Sequence, residues 1–250
     1  MGASNLTNGL AHVVAGAEQL LGEPVEVWAA LGHGRSFGQR SQVLARALPG
    51  IRESGLWPAL SLAPPKPCYA LITDLGNDLM YGVSPGRLLD WIDSILEELV
   101  AMNARITLDT LPLASLQRVG PGRYFWASRL LFPFHPRIPH PEIMKRIVEV
   151  EIGLRQRAKR LGVAVVEPRA AWYGIDPIHI RRRYRSHAWA EKLGPWTDPP
   201  PSPGFRITPS AEQRQRVWRA RAECRWMFGK FLRVRQPCVR FGNGTTVSLY

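Results

Sequence analysis

The sequence has few of the residues that mark secreted or membrane-spanning proteins. It holds three cysteines, Cys68, Cys224 and Cys238, an odd number whose spacing indicates neither a disulfide framework nor a metal site. No apolar run reaches the ~18 residues that a membrane span requires. The N-terminus lacks the basic flank and long apolar core of a signal peptide, and Leu6 stands where a myristoylation motif needs Ser or Thr. We therefore expect a soluble, cytoplasmic protein.

Acidic residues are scarce towards the C-terminus. The chain has 33 Lys and Arg against 20 Asp and Glu, which gives a formal net charge of +13. Residues 180–250 contain 15 of these basic residues but only 4 of the acidic ones. Such asymmetry suggests an anionic partner or an acidic surface nearby. Arginines that simply face solvent would give the same composition.

Short apolar runs alternate with helical patterns along the first two thirds of the chain. Ser84 followed by Pro85 predicts the start of one helix, because serine is a good N-cap and proline suits the first helical position. The predicted strands are 26–31, 68–73, 104–113 and 162–168. The predicted helices are 5–21, 39–48, a helix starting at 85, and 141–161. This alternation predicts an α/β fold with a mostly parallel sheet covered on both faces.

Polar residues follow these strands, at the sheet edge where ligands bind in such folds. Ser36 lies in a glycine-rich loop after the first strand, Asn77 follows the second, and Asp176 and His179 follow the fourth. A serine becomes a nucleophile when a base takes its proton, and His179 is the candidate base. Asp176, three residues earlier, can reach the far ring nitrogen and fix its tautomer. The Asn77 amide, the Ser36 N–H and a glycine N–H are candidate donors to an oxyanion.

Three of these segments resemble blocks of a known family. "GRSFG" with Ser36, "GND" with Asn77 and "DPIH" at 176–179 are similar to three of the four blocks of the SGNH (GDSL-type) hydrolases. The resemblance covers roughly residues 24–190. It implies a flavodoxin-like three-layer α/β/α sandwich and a serine esterase or acyl hydrolase that acts on an acylated small molecule without metal or cofactor.

Carried over by position, the resemblance makes Ser36 the nucleophile, with Asp176 and His179 completing a catalytic triad. It makes Asn77 and the Ser36 N–H oxyanion donors. The glycine of the family's second block is either Gly50 or Gly55. The loop "RESGLW" has the character of a tight turn and favours Gly55.

Several neighbouring residues have an ordinary interpretation beside a functional one. Arg35 stands where the family usually has aspartate. Arg35 and His33 are loop residues by default; in a functional role they would bind substrate, and Arg35 would favour one with an anionic group. Ser41 is a rival serine that the predicted helix would make harder to expose. Asp74 and Asp78 are interpreted as loop caps.

The aromatic segment 113–140 is predicted to be irregular. It includes Tyr124, Phe132 and Phe134, and it either forms an apolar acyl pocket over the site or packs into the core.

The basic C-terminal part is predicted to contain a helix at 181–196, a proline-rich linker, a helix over 211–232 capped by Ser210, and a hairpin turning at 242–244. We expect a hydrolase-like domain at 1–195 and a basic extension at 196–250 packed on it. The alternative to a hydrolase is a non-catalytic SGNH-like protein whose residues 181–250 bind an anionic partner, either nucleic acid or an acidic surface.

Overall fold

The structure, a computed structural model, describes residues 1–132, 135 and 137–250, so Phe134 lies outside the described residues. The helices are α1 (Ser4–Leu21), α2 (Leu56–Ser61), α3 (Asn77–Met80), α4 (Pro85–Ala101), α5 (Leu113–Leu116), α6 (Pro121–Leu131), α7 (His140–Leu161), α8 (Arg185–Leu193) and α9 (Ala211–Arg219). The strands are β1 (Glu26–Ala29), β2 (Ser41–Val43), β3 (Arg46–Leu48), β4 (Tyr69–Ile72), β5 (Arg105–Asp109), β6 (Ala164–Val166), β7 (Cys224–Met227), β8 (Lys230–Arg233), β9 (Val239–Arg240) and β10 (Thr246–Leu249).

Two groups of strands contain parallel pairs, and the first residues of the chain join them. Strands β4, β5 and β6 are parallel, as are β1 and β10, while β9 runs antiparallel to β10. Gly2 N donates to Ala30 O at 3.1 Å, beside β1. On the other side, Thr73 N donates to Met1 O at 3.0 Å and the Met1 amino group donates to Leu71 O at 2.6 Å. Met1 and Gly2 therefore lie between β1 and β4, where a strand would otherwise run.

Helices pack on both faces of this arrangement, because successive strand residues point to opposite sides. Leu71 packs in one buried cluster with Leu10 of α1 and Trp189 of α8. Its neighbour Ile72 packs in the other cluster, with Ile92 of α4 and residues of α7. The predicted α/β class with parallel strands is confirmed. None of the helices in the described part of the chain is both long enough and apolar enough to cross a lipid bilayer.

One predicted helix, 39–48, is wrong and another, 211–232, is too long, because both segments contribute to a separate antiparallel sheet in the order β2-β3-β7-β8. Residues 39–48 form the hairpin β2–β3 instead of a helix. The helix after Ser210 ends at Arg219, and β7–β8 form a second hairpin. Arg46 of β3 is in register with Met227 of β7. Pairing with a distant strand outweighs local helix propensity at both places.

The aromatic segment and the C-terminus can also be compared with the sequence predictions. Residues 113–140 contain the helices α5 and α6 and are not irregular throughout; Pro121 occupies the first position of α6. Ser210 makes the predicted cap as part of a capping box. The predicted C-terminal hairpin is β9–β10, and β10 pairs with β1. The basic extension is thus part of a sheet of the body.

A buried ion pair lies between the sheet and α8. Lys192 Nζ is 2.5 Å from Asp109 Oδ2, both side chains are at most 4% exposed, and the Thr73 hydroxyl also donates to that carboxylate. Replacing Lys192 by methionine leaves a buried carboxylate without its cation, so we expect the free energy of unfolding to fall by about 3–5 kcal/mol. Urea unfolding measures this change. The double variant Lys192→Met/Asp109→Leu should be clearly more stable than the single variant, and equal loss in both would contradict this account.

Candidate active site

Asp176 and His179 lie together as the sequence predicts. His179 Nδ1 is 2.5 Å from Asp176 Oδ2, and Asp176 Oδ1 accepts from the N–H groups of Ile178 at 3.0 Å and His179 at 3.2 Å. The hydrogen bond that His179 Nδ1 donates to Asp176 raises the pKa of His179 above its ordinary value, although burial opposes the rise. Burial raises the pKa of Asp176, but these hydrogen bonds outweigh it and hold that pKa below its ordinary value. An ionised Asp176 keeps the proton of a neutral His179 on Nδ1 and leaves Nε2 as the acceptor.

The serine that contacts this acceptor is Ser4, which the sequence analysis missed. Ser4 Oγ lies 2.9 Å from His179 Nε2. Ser4 is the first residue of α1, so its side chain stands at the amino end of an 18-residue helix. The three side chains form a continuous chain from hydroxyl to imidazole to carboxylate. That geometry is what activation of a serine by a histidine requires.

The turn that leads into α1 is fixed by Asp74 and Gly2. Asp74 Oδ2 accepts from the N–H groups of Ala3 and Leu6, both at 3.0 Å, and thereby caps the helix. Asp74 itself has φ 63°, a left-handed conformation that few non-glycine residues adopt. A Cβ at position 2 would lie 2.8 Å from Thr73 Cγ2, so the close approach there requires glycine. Asp74 is predicted to cap its own loop, and in the structure its carboxylate caps the amino end of α1.

Asn5 ties the loop that carries His179 to the same helix end. Its Nδ2 donates to Ile178 O at 2.8 Å and to Asp74 Oδ1 at 2.8 Å, while its Oδ1 accepts from Ile180 N at 2.8 Å. Ile178 and Ile180, on either side of His179, are therefore hydrogen-bonded to Asn5, the residue next to Ser4. These bonds set the distance between the hydroxyl and the imidazole.

Ser36 is not at His179, and the prediction that it lies there is wrong. The residue is fully buried, its hydroxyl donates to Asp78 Oδ1, and its Oγ accepts from Gly38 N at 3.2 Å and Gln39 N at 3.1 Å. Burial raises the pKa of Asp78 to about 6, and the hydrogen bond from Ser36 works against that rise. Ser36 thus organises its own loop around a buried carboxyl group.

Arg35 is also buried, which excludes the predicted contact with substrate. Its Nε donates to Pro49 O at 3.0 Å, and its Nη1 donates to Leu31 O at 3.2 Å and to the main-chain oxygen of Tyr250. Burial lowers the pKa of Arg35 to about 9, so the side chain stays charged at neutral pH. It fastens the loop after β1 to the C-terminal strand.

His33 lies in the exposed part of the same loop. Its carbonyl accepts from Arg46 Nη2 at 3.3 Å. Partial burial lowers the pKa of His33, and the nearby charges of Arg46 and His179 lower it further. His33 does not line the cavity that contains Ser4, so its predicted contact with substrate stays a prediction.

The other predicted oxyanion donors, the N–H groups of Ser36 and of Gly55 or Gly50, do not line the cavity that contains Ser4. The Ser36 N–H donates to Ser41 Oγ at 3.3 Å. Gly55 precedes α2, and a Cβ there would lie 2.1 Å from Glu223 Oε2, while Gly50 abuts the backbone of Gln39.

Asn77 is the predicted donor that shares a cavity with Ser4. This cavity has a volume of about 140 Å³. Among the described residues the Asn77 side-chain amide has no hydrogen-bond partner, so its donors are free. The apolar walls include Leu79, Leu111, Leu116, Ile143, Met144 and Ile147. The cavity is partly open to solvent. An apolar space of roughly this volume holds a molecule such as benzene, so an acyl group of similar volume fits beside the Ser4 hydroxyl.

Nothing in the described ranges groups three His, Cys, Asp or Glu side chains as ligands of a metal ion. No protein-family model matches the chain, and no curated protein matches it either. The geometry around Ser4 is therefore the basis on which a function can be assigned.

Proposed function

We propose that the protein is a serine hydrolase that cleaves an ester or related acyl bond through a covalent acyl-enzyme. The observation that carries this proposal is the chain of contacts from Ser4 Oγ to His179 Nε2 at 2.9 Å and from His179 Nδ1 to Asp176 Oδ2 at 2.5 Å. The nucleophile is Ser4, which replaces Ser36 in the role that the sequence suggested. Asp176 and His179 keep the triad roles that the sequence suggested for them.

The reaction runs in two halves. The Ser4 oxygen attacks the carbonyl carbon while His179 Nε2 takes the hydroxyl proton, and the carboxylate of Asp176 stabilises the imidazolium. The tetrahedral intermediate collapses, the bond to the leaving group breaks, and His179 gives its proton to the departing oxygen. Water then attacks the acyl-enzyme as His179 takes a proton from it. The second collapse releases the acid, and His179 returns the proton to Ser4.

The oxyanion formed in each half needs hydrogen-bond donors. The backbone N–H of Ser4, in the first turn of α1, points from the positive end of a helix dipole. The free amide of Asn77 borders the same cavity and supplies a second donor. The helix holds the Ser4 N–H in place before the reaction starts, which is the condition for effective stabilisation of the transition state.

Replacing Asn77 by alanine is expected to lower kcat by about 10²–10³-fold with little change in KM, because the oxyanion exists only in the transition state and intermediate. Steady-state kinetics on a chromogenic ester measures both constants. Asn8→Ala is the matched control, because it removes an exposed amide from α1, the helix that carries Ser4. Its kcat is expected at the wild-type value. A normal kcat for Asn77→Ala would remove Asn77 from the oxyanion site.

The fold and the corrected site fit the SGNH type. With Ser4 as nucleophile, "GAS" at 2–4 takes the place of the family's first block, followed by "GND" at 76–78 and "DPIH" at 176–179. Ala3 then stands where the family usually has aspartate. Parallel strands on either side of Met1 and Gly2, with helices on both faces, support a flavodoxin-like three-layer sandwich.

The cavity suggests a substrate with a compact apolar acyl group. A panel of p-nitrophenyl esters with increasing acyl length tests both activity and pocket size. We expect turnover to rise from acetyl to an acyl group of about the size of a benzene ring and to fall for long chains that exceed the cavity. Absence of turnover with every carboxylester, thioester and acetylated sugar tested would contradict the proposed function.

A further inference from the structure

The turns of the hairpins β2–β3 and β7–β8 lie side by side and expose large apolar side chains. Leu44 is 91% exposed and Phe228 is 82% exposed. Phe228 N donates to Ala45 O at 2.9 Å, so the two turns are in direct contact. Leu44 has φ 53° and Phe228 has φ 49°, conformations that are unfavourable for bulky residues. Backbone strain combined with exposed apolar side chains at two adjacent turns suggests a function for them.

Cationic side chains surround these two turns. We name the turns and these side chains together the double-hairpin tip. Its polar members are Arg40, Arg46, Arg225 and Lys230, and its apolar members are Leu44, Phe228, Phe231 and Leu232. Residues 221–235 hold five Lys and Arg and one acidic residue.

Arg46 and Arg225 lie near each other, and neither has a carboxylate partner in the described part of the chain. In the described part of the chain the hydrogen bonds of Arg46 and Arg225 go to main-chain carbonyls and not to carboxylates. Burial lowers the pKa of Arg46, and its proximity to Arg225 lowers it further. Uncompensated positive charge of this kind favours an anionic partner.

We propose that the double-hairpin tip docks on a lipid bilayer surface that contains anionic phospholipids. Leu44 and Phe228 enter the boundary between head groups and acyl chains, and the arginines with Lys230 contact the lipid phosphates. This proposal goes beyond the hydrolase activity and does not depend on it.

The aromatic residues of the tip favour a bilayer over nucleic acid. Single-stranded nucleic acid is bound by aromatic rings whose faces are free to stack on bases. Phe228 offers such a ring. The neighbouring Trp226 ring of β7 is covered, with the Arg40 guanidinium 4.2 Å from its centroid and the Phe231 ring at 5.1 Å, so the two rings do not form a stacking platform. The most exposed member is Leu44, an aliphatic side chain at the end of a turn, which suits insertion among lipids.

The tip contacts the loop after β1 through Arg46. Its Nη2 donates to the carbonyl oxygen of His33 at 3.3 Å. Docking would therefore place the loop after β1 close to the bilayer surface.

Sedimentation of the full chain with vesicles tests the docking. We expect binding to mixed phosphatidylcholine–phosphatidylglycerol vesicles, weaker binding at high salt, and little binding to pure phosphatidylcholine. Leu44→Ser and Phe228→Ser should each lower the partition coefficient about tenfold, and Arg225→Gln about fivefold. Ile152→Ser, which removes an exposed apolar side chain from α7, is the matched control and should bind as the wild type does.

Leu44 and Phe228 are solvent-exposed, so their replacement removes little packing; circular dichroism checks that the variants are folded. Absence of wild-type binding to the anionic vesicles would overturn the proposal. So would unchanged binding of both serine variants, or binding to a single-stranded oligonucleotide with no vesicle binding. Turnover of a water-soluble ester, measured on the same samples, shows separately whether the hydrolase proposal holds.

Discussion

Replacing Ser4 by alanine is expected to lower ester turnover by about 10⁴–10⁶-fold, while Ser36→Ala is expected to keep turnover per folded molecule close to the wild-type value. Ser4 is the hydroxyl that contacts His179 Nε2, so without it no covalent intermediate forms. Ser36 is enclosed with Asp78 and has no contact with the imidazole. Turnover of a chromogenic ester, normalised to folded protein, measures the difference.

The same pair of variants should behave in the opposite way in unfolding experiments. Ser36→Ala removes a hydrogen bond to the buried Asp78 and leaves the N–H groups of Gly38 and Gln39 without their acceptor. We expect the free energy of unfolding to fall by about 1–3 kcal/mol. Ser4→Ala removes a half-buried hydroxyl and should cost much less. Loss of turnover in folded Ser36→Ala, with Ser4→Ala active, would reverse the assignment.

Replacing Asp176 by asparagine is expected to lower kcat by about 10⁴-fold, the size of effect seen when a triad loses its carboxylate. The substitution should also shift the pH dependence of kcat/KM. Catalysis needs neutral His179, and the hydrogen bond to Asp176 raises the pKa of this group above its ordinary value, so the wild-type rate falls as the medium is acidified through that raised pKa. Without the carboxylate the pKa of His179 drops, and the acid limb of the profile should move to lower pH.

The profile of kcat/KM against pH is the appropriate measurement, because it reports ionisations of the free enzyme. A matched control is Glu191→Gln, since Glu191 Oε1 pairs with His187 Nε2 at 2.8 Å in α8. This variant also removes a carboxylate from a histidine, but it should leave the acid limb in place. If the acid limb of Asp176→Asn stays at the wild-type pH, a group other than His179 controls the rate.

Much of the fold could be predicted because its signals are local. The apolar stripe of α4, its Ser84 cap and the short apolar strands β4 and β5 depend on residues close together in the chain. Asp176, His179 and Asn77 could be singled out for the same reason, since each follows a predicted strand. Their convergence then followed from the rule that parallel strands present their carboxyl ends at one edge.

Ser4 could not be found in this way, because its position depends on contacts between distant segments. Met1 and Gly2 are too short a segment to show a strand pattern, yet they bond to Ala30 on one side and Leu71 on the other. Those bonds place the residues that follow at the centre of the site. The local signal was a glycine two residues before a serine at the start of a long helix. The hairpins β2–β3 and β7–β8 were missed for a related reason, since each is stabilised by pairing with the other.

The most direct test of the central claim is covalent labelling with a fluorophosphonate probe, followed by mass spectrometry of the modified peptide. The probe reacts with a serine only when a neighbouring base activates it. We predict one adduct, on Ser4, which is present in Ser36→Ala and absent in Ser4→Ala. An adduct on Ser36, or no adduct on Ser4 in the folded wild-type protein, would contradict the proposed nucleophile.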